Sequence, residues 1–352
     1  MREVSRGLAA AAAALLAMAG VAAAGLALLG AGGAGLTAAA VALAVGAPAD
    51  VEAMPAGGLP IALHGELHAI PLGVSLAGAV VLGWLLLRRG EDGLLVRGGV
   101  ATVAFSVGLT AITVLAKGKL ALPEGASGAQ GCVATGSRLP LPGQLDAGFS
   151  VAAGPAVAGS VIWALVVVGV CWLGTRFPAV ARGFRAARWP AAGLAVVGLA
   201  AAWAFGGAAA AGGVLLVLPQ LVTGAVLLGL GVPWTVDPAL PCVPDLGHFT
   251  PGLWVSGALL LVSAIVLVVR RGRPLRRAAV VAAVAGGVAV VLTLLSRVSA
   301  DVSVTAFSFS VPVLDVRLSA NPLLALAAGA LVGFTGSLLA GAVSVSSRAW
   351  KR

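Results

Sequence analysis

The chain has 352 residues, of which 60% are apolar and only 10% charged, and its mean hydropathy is +1.08. A water-soluble domain of this composition would expose very large apolar patches, so lipid is the expected solvent for most of the chain. The formal net charge of +10 does not imply a nucleic-acid partner, because the basic residues stand in short clusters at the ends of apolar runs, the pattern of loops held on the cytoplasmic side of a membrane.

In chain order, eight apolar runs are long enough to cross a bilayer, which takes about 20 residues as a helix. They are Gly7–Leu29, Pro71–Leu87, Gly98–Ala116, Val151–Leu173, Ala191–Gly206, Pro251–Val269, Ala278–Ser296 and Pro322–Val343. Their unbroken apolarity predicts helices, since a membrane barrel strand would alternate apolar and polar residues. The basic clusters are Arg2 and Arg6; Arg88, Arg89 and Arg97; Arg176, Arg182, Arg185 and Arg188; Arg270 to Arg277; and Arg348, Lys351 and Arg352. With both termini inside, the inner segments hold 17 basic and 3 acidic residues and the outer loops 5 basic and 9 acidic. That bias predicts the orientation. The start of the chain also resembles a secretory signal, with Arg2 and Arg6 before an Ala/Leu core. Apolarity continues past any cleavage point, so an uncleaved first span is expected.

Two further apolar runs, Ala31–Gly46 and Ala208–Gly231, follow a span and precede an outer loop. Counting either as a crossing would put a basic cluster outside, so both are expected to be re-entrant or interfacial helices on the outer side. Gly30 to Gly35 open the first, and Pro219 and Gln220 interrupt the second. In the third outer loop, Val302, Val304, Phe307, Phe309, Val311 and Val313 largely alternate, with a slip at Ala306, and predict a small hairpin.

The chain repeats itself at an offset of about 180 residues. His68-Ala-Ile-Pro71 enters the second span and His248-Phe-Thr-Pro251 the sixth; these spans end in Arg88-Arg89 and Arg270-Arg271. Leu145-Asp146-Ala-Gly-Phe-Ser150 and Leu314-Asp315-Val-Arg-Leu-Ser319 lead into the fourth and eighth. The expected fold is therefore all-α: a transmembrane bundle of two like-oriented four-span repeats, residues 1–188 and 189–352, related by a pseudo-two-fold axis along the membrane normal.

None of the eight runs has an Asp, Glu, Lys, Arg or His in its interior. Charge inside a membrane is costly and usually functional, so its lack weakens a proton-coupled carrier or a voltage sensor. Thr102, Ser106, Thr110, Thr113, Ser263 and Thr293 remain as mid-membrane polar groups, expected to hydrogen-bond within and between helices. Close-spaced glycines such as Gly20 and Gly25, Gly78 and Gly83, and Gly329 and Gly333 read as helix-packing positions. Trp84, Trp172, Trp189, Trp234, Trp254 and Trp350 near span ends read as interfacial anchors.

All three histidines fall in outer loops. His64-x-Glu66-x-His68 places two imidazoles on one side of an extended segment, and His248 from the second half makes a third candidate ligand for zinc or copper; Asp245 lies near it. Solvated or helix-capping histidines are the alternative. Cys132 and Cys242 are both outside, where a disulfide is a candidate and free thiols the alternative; Cys171 lies in a span. No phosphate-loop, nucleophile-elbow or zinc-protease motif occurs, so no cofactor and no reaction is indicated, although Asp146, Asp237 and Asp315 are outer carboxylates.

His68-Ala-Ile-Pro-Leu-Gly73, Leu215-Leu-Val-Leu-Pro219-Gln220 followed by Gly231-Val-Pro233-Trp234, and Ser310-Val-Pro-Val-Leu-Asp315 before Ser319-Ala-Asn-Pro322 together make a chain that resembles the streptophobe family of actinobacterial multi-pass membrane proteins. The resemblance covers nearly the whole chain, departs at Gln220 where Asn is expected, and implies a plasma-membrane location with no functional residues to carry over. The expected function is non-enzymatic and of unassigned role, with the lipid bilayer as partner. Its sharper form is a permease-like path between the halves for an uncharged or weakly polar solute. A structural or partner-binding membrane component and a membrane enzyme with an outer-face site are the competing classes.

Overall fold

A computed structural model describes residues 2–55, 61–88, 93–120, 145–176, 178–229, 232, 234–237, 274–306 and 309–349. Long, continuously apolar runs become helices: α1 (Arg2–Leu28), α2 (Ala34–Leu43), α3 (Leu72–Leu87), α4 (Leu94–Leu115), α5 (Ala153–Arg176), α6 (Pro178–Gly229), α7 (Pro274–Leu295) and α8 (Pro322–Ala349). Proline at the first helical position starts α6, α7 and α8, where its missing N–H costs nothing. Asn321 caps α8, its Oδ1 accepting from the Leu323 N–H at 2.9 Å.

Four helical segments are long and apolar enough to cross a membrane: Glu3–Leu28, Leu94–Leu115, Ala153–Arg176 and Ala195–Gly229. They contain or overlap the first, third, fourth and fifth expected spans. α3 and parts of α7 and α8 are shorter apolar helices, and the sixth expected span, Pro251–Val269, lies outside the described residues. At ten residues, α2 is roughly 15 Å long, about half the hydrocarbon thickness. Within α6 the backbone turns sharply at Gly207, whose φ of 69° and ψ of −164° suit glycine alone. Residues 178–206 and 208–229 are thus two arms, and a Cβ on Gly198 in the first would stand 3.6 Å from the Leu218 side chain in the second.

The second arm runs beside the last turns of α1 and the first of α3. A Cβ on Gly212 would meet the Gly25 carbonyl oxygen at 2.5 Å, and one on Gly73 would meet that of Leu216 at 2.6 Å. Such approach is possible only with hydrogen in place of a side chain. The main core joins α1 to α5 through Met18, Val41, Leu82, Leu86, Phe105 and Leu109, all almost fully buried. Outward-facing apolar residues such as Val103, Val107, Ile162 and Val166 cover the other sides of α4 and α5. Trp84 at the end of α3 is exposed and lies under the Arg88 guanidinium, 5.0 Å from its ring centre, as an interfacial anchor would.

The expectation of an all-α bundle with one small hairpin is corrected at one end of the helices. Seven strands, β1 (Ala49–Pro55), β2 (Ile61–His68), β3 (Lys117–Leu120), β4 (Leu145–Val151), β5 (Trp234–Asp237), β6 (Val298–Ala306) and β7 (Phe309–Ala320), form one sheet in the order β3-β4-β1-β2-β6-β7-β5. Every pair is antiparallel. The expected hairpin is β6–β7, and the break in alternation at Ala306 is the end of β6, which pairs with Phe309. The other strands come from loops that alternate without being apolar enough to stand out, such as Ala49-Asp50-Val51-Glu52. Their apolar members pack inward: Ala49, Phe149 and Val151 form a second core with Ala38, Ala39 and Ala42 of α2.

Candidate functional site

Direct register partners share a face of a sheet, and alternate residues of a strand return to it. Register therefore gathers the polar residues of four connections on one surface. One row runs Lys117, Ser150, Asp50, Glu66, Asp301 and Asp315 across β3, β4, β1, β2, β6 and β7. The next row on one side holds Glu52, His64 and Ser303, and that on the other holds His68, Ser299, Arg317 and Asp237. Four carboxylates thus occupy adjacent positions of one row, an arrangement that like-charge repulsion disfavours. Lys117, Glu52, Glu66, His68 and Arg317 are exposed.

Both described histidines lie on this face, four residues apart on β2, and each has its own carboxylate. His64 Nδ1 is 3.5 Å from Glu52 Oε1, and His68 Nε2 is 2.8 Å from Glu66 Oε1. These exposed pairs contribute little to stability. Among the described residues no group of three or more His, Cys, Asp or Glu side chains is placed to hold a metal ion. His248, Asp245, Cys132 and Cys242 lie outside the described residues. Cys171 is a buried free thiol on α5. The carboxylate residues expected outside, Asp146, Asp237 and Asp315, fall on three different strands, with register partners Met54, Arg317 and Asp301.

The membrane-depth hydroxyls mostly turn back on their own helices. Thr102 donates to the Gly98 carbonyl at 2.9 Å, Thr110 to that of Ser106 at 2.8 Å and Thr293 to that of Ala289 at 2.7 Å. Among the described residues, two of these hydroxyl bonds cross between helices: Ser160 Oγ donates to Ser106 Oγ at 3.0 Å, and Trp163 Nε1 to Ser75 Oγ at 2.7 Å. Trp163 also stacks on Phe105, with ring centres 4.7 Å apart. Satisfied hydroxyls and a stacked aromatic pair fill the space between α3, α4 and α5. Ser263 lies outside the described residues.

Three relationships were not legible from the sequence. Arg97, assigned to a basic cluster at a span end, is buried in the first turn of α4 with Nε 3.1 Å from Glu3 Oε2. The Gln220 side-chain amide donates to the Ile70 carbonyl just before α3. Its Oε1 is buried with no hydrogen-bond partner among the described residues. The third is Trp163, which joins α5 to Ser75 of α3 and stacks on Phe105 of α4. A tryptophan in the middle of an apolar run, away from either interface, was the available signal, since its N–H needs a partner there. Comparison with family models, with curated proteins and with solved structures finds no match for the chain.

Proposed function

We propose that this is a non-enzymatic multi-pass plasma-membrane protein that presents its sheet outside the cytoplasm as a platform for a partner. Eight crossings in two like-oriented halves, with cytoplasmic termini, form its base. The observation that carries the reading is the continuous polar face made from connections throughout the chain, set against a first-half interior filled by Phe105, Met18, Leu82 and Leu109. The strand-bearing connections are those that the charge bias assigns to the outside. The streptophobe resemblance accords with this location and adds no activity.

The test is a photo-cross-linking residue at Glu66 in intact cells, with Val103, 67% exposed on α4, as the lipid-facing control. A discrete adduct at Glu66 and none at Val103 is expected. Absence of adducts at Glu52, Glu66 and Asp301 alike overturns the platform. For orientation, a single cysteine in the Arg270–Arg277 loop is expected to resist an impermeant reagent applied outside; its labelling overturns the topology.

The bent α6, with Pro219 removing one helical hydrogen bond beside the buried Gln220 amide, favours a second reading as a permease for an uncharged or weakly polar solute. Comparing metabolite and ion flux in cells with and without the gene separates the two. A flux that follows the gene supports transport, and unchanged flux alongside Glu66 adducts supports the platform.

A further inference from the structure

Nearly the same ten residues occur twice in the chain and are used in two ways. Gly20-Val-Ala-Ala-Ala-Gly25-Leu-Ala-Leu-Leu29 and Gly207-Ala-Ala-Ala-Ala-Gly212-Gly-Val-Leu-Leu216 are identical at seven of their ten positions. In the first half they form the end of the long helix α1; in the second the backbone turns at Gly207, so they open the second arm of α6. The two copies touch through equivalent residues. A Cβ on Gly25 would stand 3.3 Å from the Gly212 carbonyl oxygen, and one on Gly212 would stand 2.5 Å from that of Gly25. Such reciprocity is what a two-fold axis between the copies produces.

What differs is the far end of the segment. α1 stops at Gly30, whose φ is 75°. The Gly30 N–H donates to the Ala27 carbonyl at 3.0 Å and the Ala31 N–H to that of Leu26 at 2.9 Å, a helix stop built on a left-handed glycine. The matching position of α6 is Val217, a β-branched residue for which that φ is an outlier. α6 therefore runs on to Gly229 and turns at the front of the segment instead. The first half has glycine at both ends, yet Gly20 is helical. No neighbour requires glycine there: a Cβ on Gly20 would meet nothing within 4 Å, and alanine is the better helix former. Straight α1 explains Gly25, which the crossing demands, but not Gly20.

Resting on the two-repeat reading and adding regulation to the platform above, we propose that Gly20 is a hinge and that residues 20–29 switch between α1 and α2. In the state described, they extend α1 and the chain turns at Gly30. In the other, the chain turns at Gly20, as it does at Gly207, and the segment leads as helix into α2. Glycine at both turning points means that neither turn forces a side chain into a positive φ, so the two packings can lie close in energy, as a bistable element needs. The switch reaches the sheet through α2, because Ala38, Ala39 and Ala42 pack with Ala49 of β1 and with Phe149 and Val151 of β4.

The test uses full-length protein in lipid, with Cys132, Cys171 and Cys242 replaced and nitroxide labels on Leu8→Cys and Leu29→Cys, both exposed positions. An unbroken α1 holds these positions about 32 Å apart; a chain folded back at Gly20 brings them close to helix-packing distance, roughly 10 Å. Gly30→Val gives the first half the residue of the second and is expected to populate the short distance, and adding Gly20→Ala is expected to abolish it. A short distance absent from Gly30→Val, or indifferent to Gly20→Ala, overturns the proposal. Should Gly30→Val fail to fold, the reverse change decides. Val217→Gly, with labels on the exposed Val196→Cys and Leu221→Cys, is expected to add a longer distance as α6 straightens, and an unchanged distance overturns the proposal. Glu66 adducts on the same variants read the platform separately. Their absence while the distances switch sinks the platform alone, and their presence while no distance responds sinks the switch alone.

Discussion

Arg97, only 2% exposed, reaches from the first turn of α4 to Glu3 on α1, with Nε 3.1 Å from Oε2. Glu3 also pairs with Arg6 one turn along α1, so one carboxylate serves a half-buried and a buried cation. Removing one partner of a buried pair strands the other charge where water cannot solvate it. Glu3→Gln is expected to lower stability by about 1–3 kcal/mol, below the fully buried case because Glu3 is itself partly exposed. The check is thermal unfolding in detergent followed by circular dichroism. Adding Arg97→Met to Glu3→Gln should recover part of the loss; a double variant less stable than the sum of the singles would contradict this account.

The second prediction contrasts two glycines. A Cβ on Gly73 would press on two carbonyl oxygens of α6, including Leu216 O at 2.6 Å, whereas one on Gly20 would meet nothing within 4 Å. Backbone cannot rotate away as a side chain can, so Gly73→Ala is expected to cost about 1–3 kcal/mol by overpacking. Gly20→Ala should be neutral or slightly stabilising, because alanine is the better helix former. Equal melting temperatures for the two variants would show that the second arm of α6 does not lie against α3.

How much of this was legible depended on whether the signal exceeded the apolar background. α1, α4 and α5 announce themselves as long runs, and β6–β7 shows because Val302 to Val313 alternate among residues that are not otherwise helix-like. β2 carried an equally clear alternation, in His64, Glu66 and His68, but those residue types suggested metal chemistry first and a strand second. β3 and β5, at four residues each, are too short for any periodicity to register. The burial of Arg97 was hidden for another reason: the apolar run begins at Gly98, but the helix begins four residues earlier, at Leu94. Only the fold reveals that α1 packs over that extra turn.

Gly207 tests the bend in α6. Its φ and ψ lie in a region that side chains other than hydrogen make costly, by about 1–3 kcal/mol. Gly207→Ala is expected either to lower stability by that amount or to relax the bend. Cysteines at Gly198 and Leu218, which face each other across the two arms, distinguish these outcomes. Retained cross-linking with a lowered melting temperature means a strained bend, and lost cross-linking means a straightened helix. Unchanged behaviour in both measurements would show that the bend does not depend on glycine.

The histidines give the last prediction, because the strand sets their separation. His64 and His68 share a face of β2, but four residues of extended backbone separate their Cα atoms by roughly 13 Å. Two imidazoles bound to one zinc each need a bond of about 2.0–2.1 Å, and each ring here is already turned toward a carboxylate of its own, Glu52 for His64 and Glu66 for His68. The pair is therefore expected not to chelate one ion. Calorimetric titration of the detergent-solubilised protein with zinc should show no site whose affinity falls in both the His64→Ala and the His68→Ala variants. A saturable site lost in each of them would mean that β2 departs from its extended path or that His248 and another ligand draw the two rings together. A site lost only in His68→Ala and His248→Ala would instead join equivalent positions of the two halves. The same titration thus reads out both the strand geometry of β2 and the relation between the repeats.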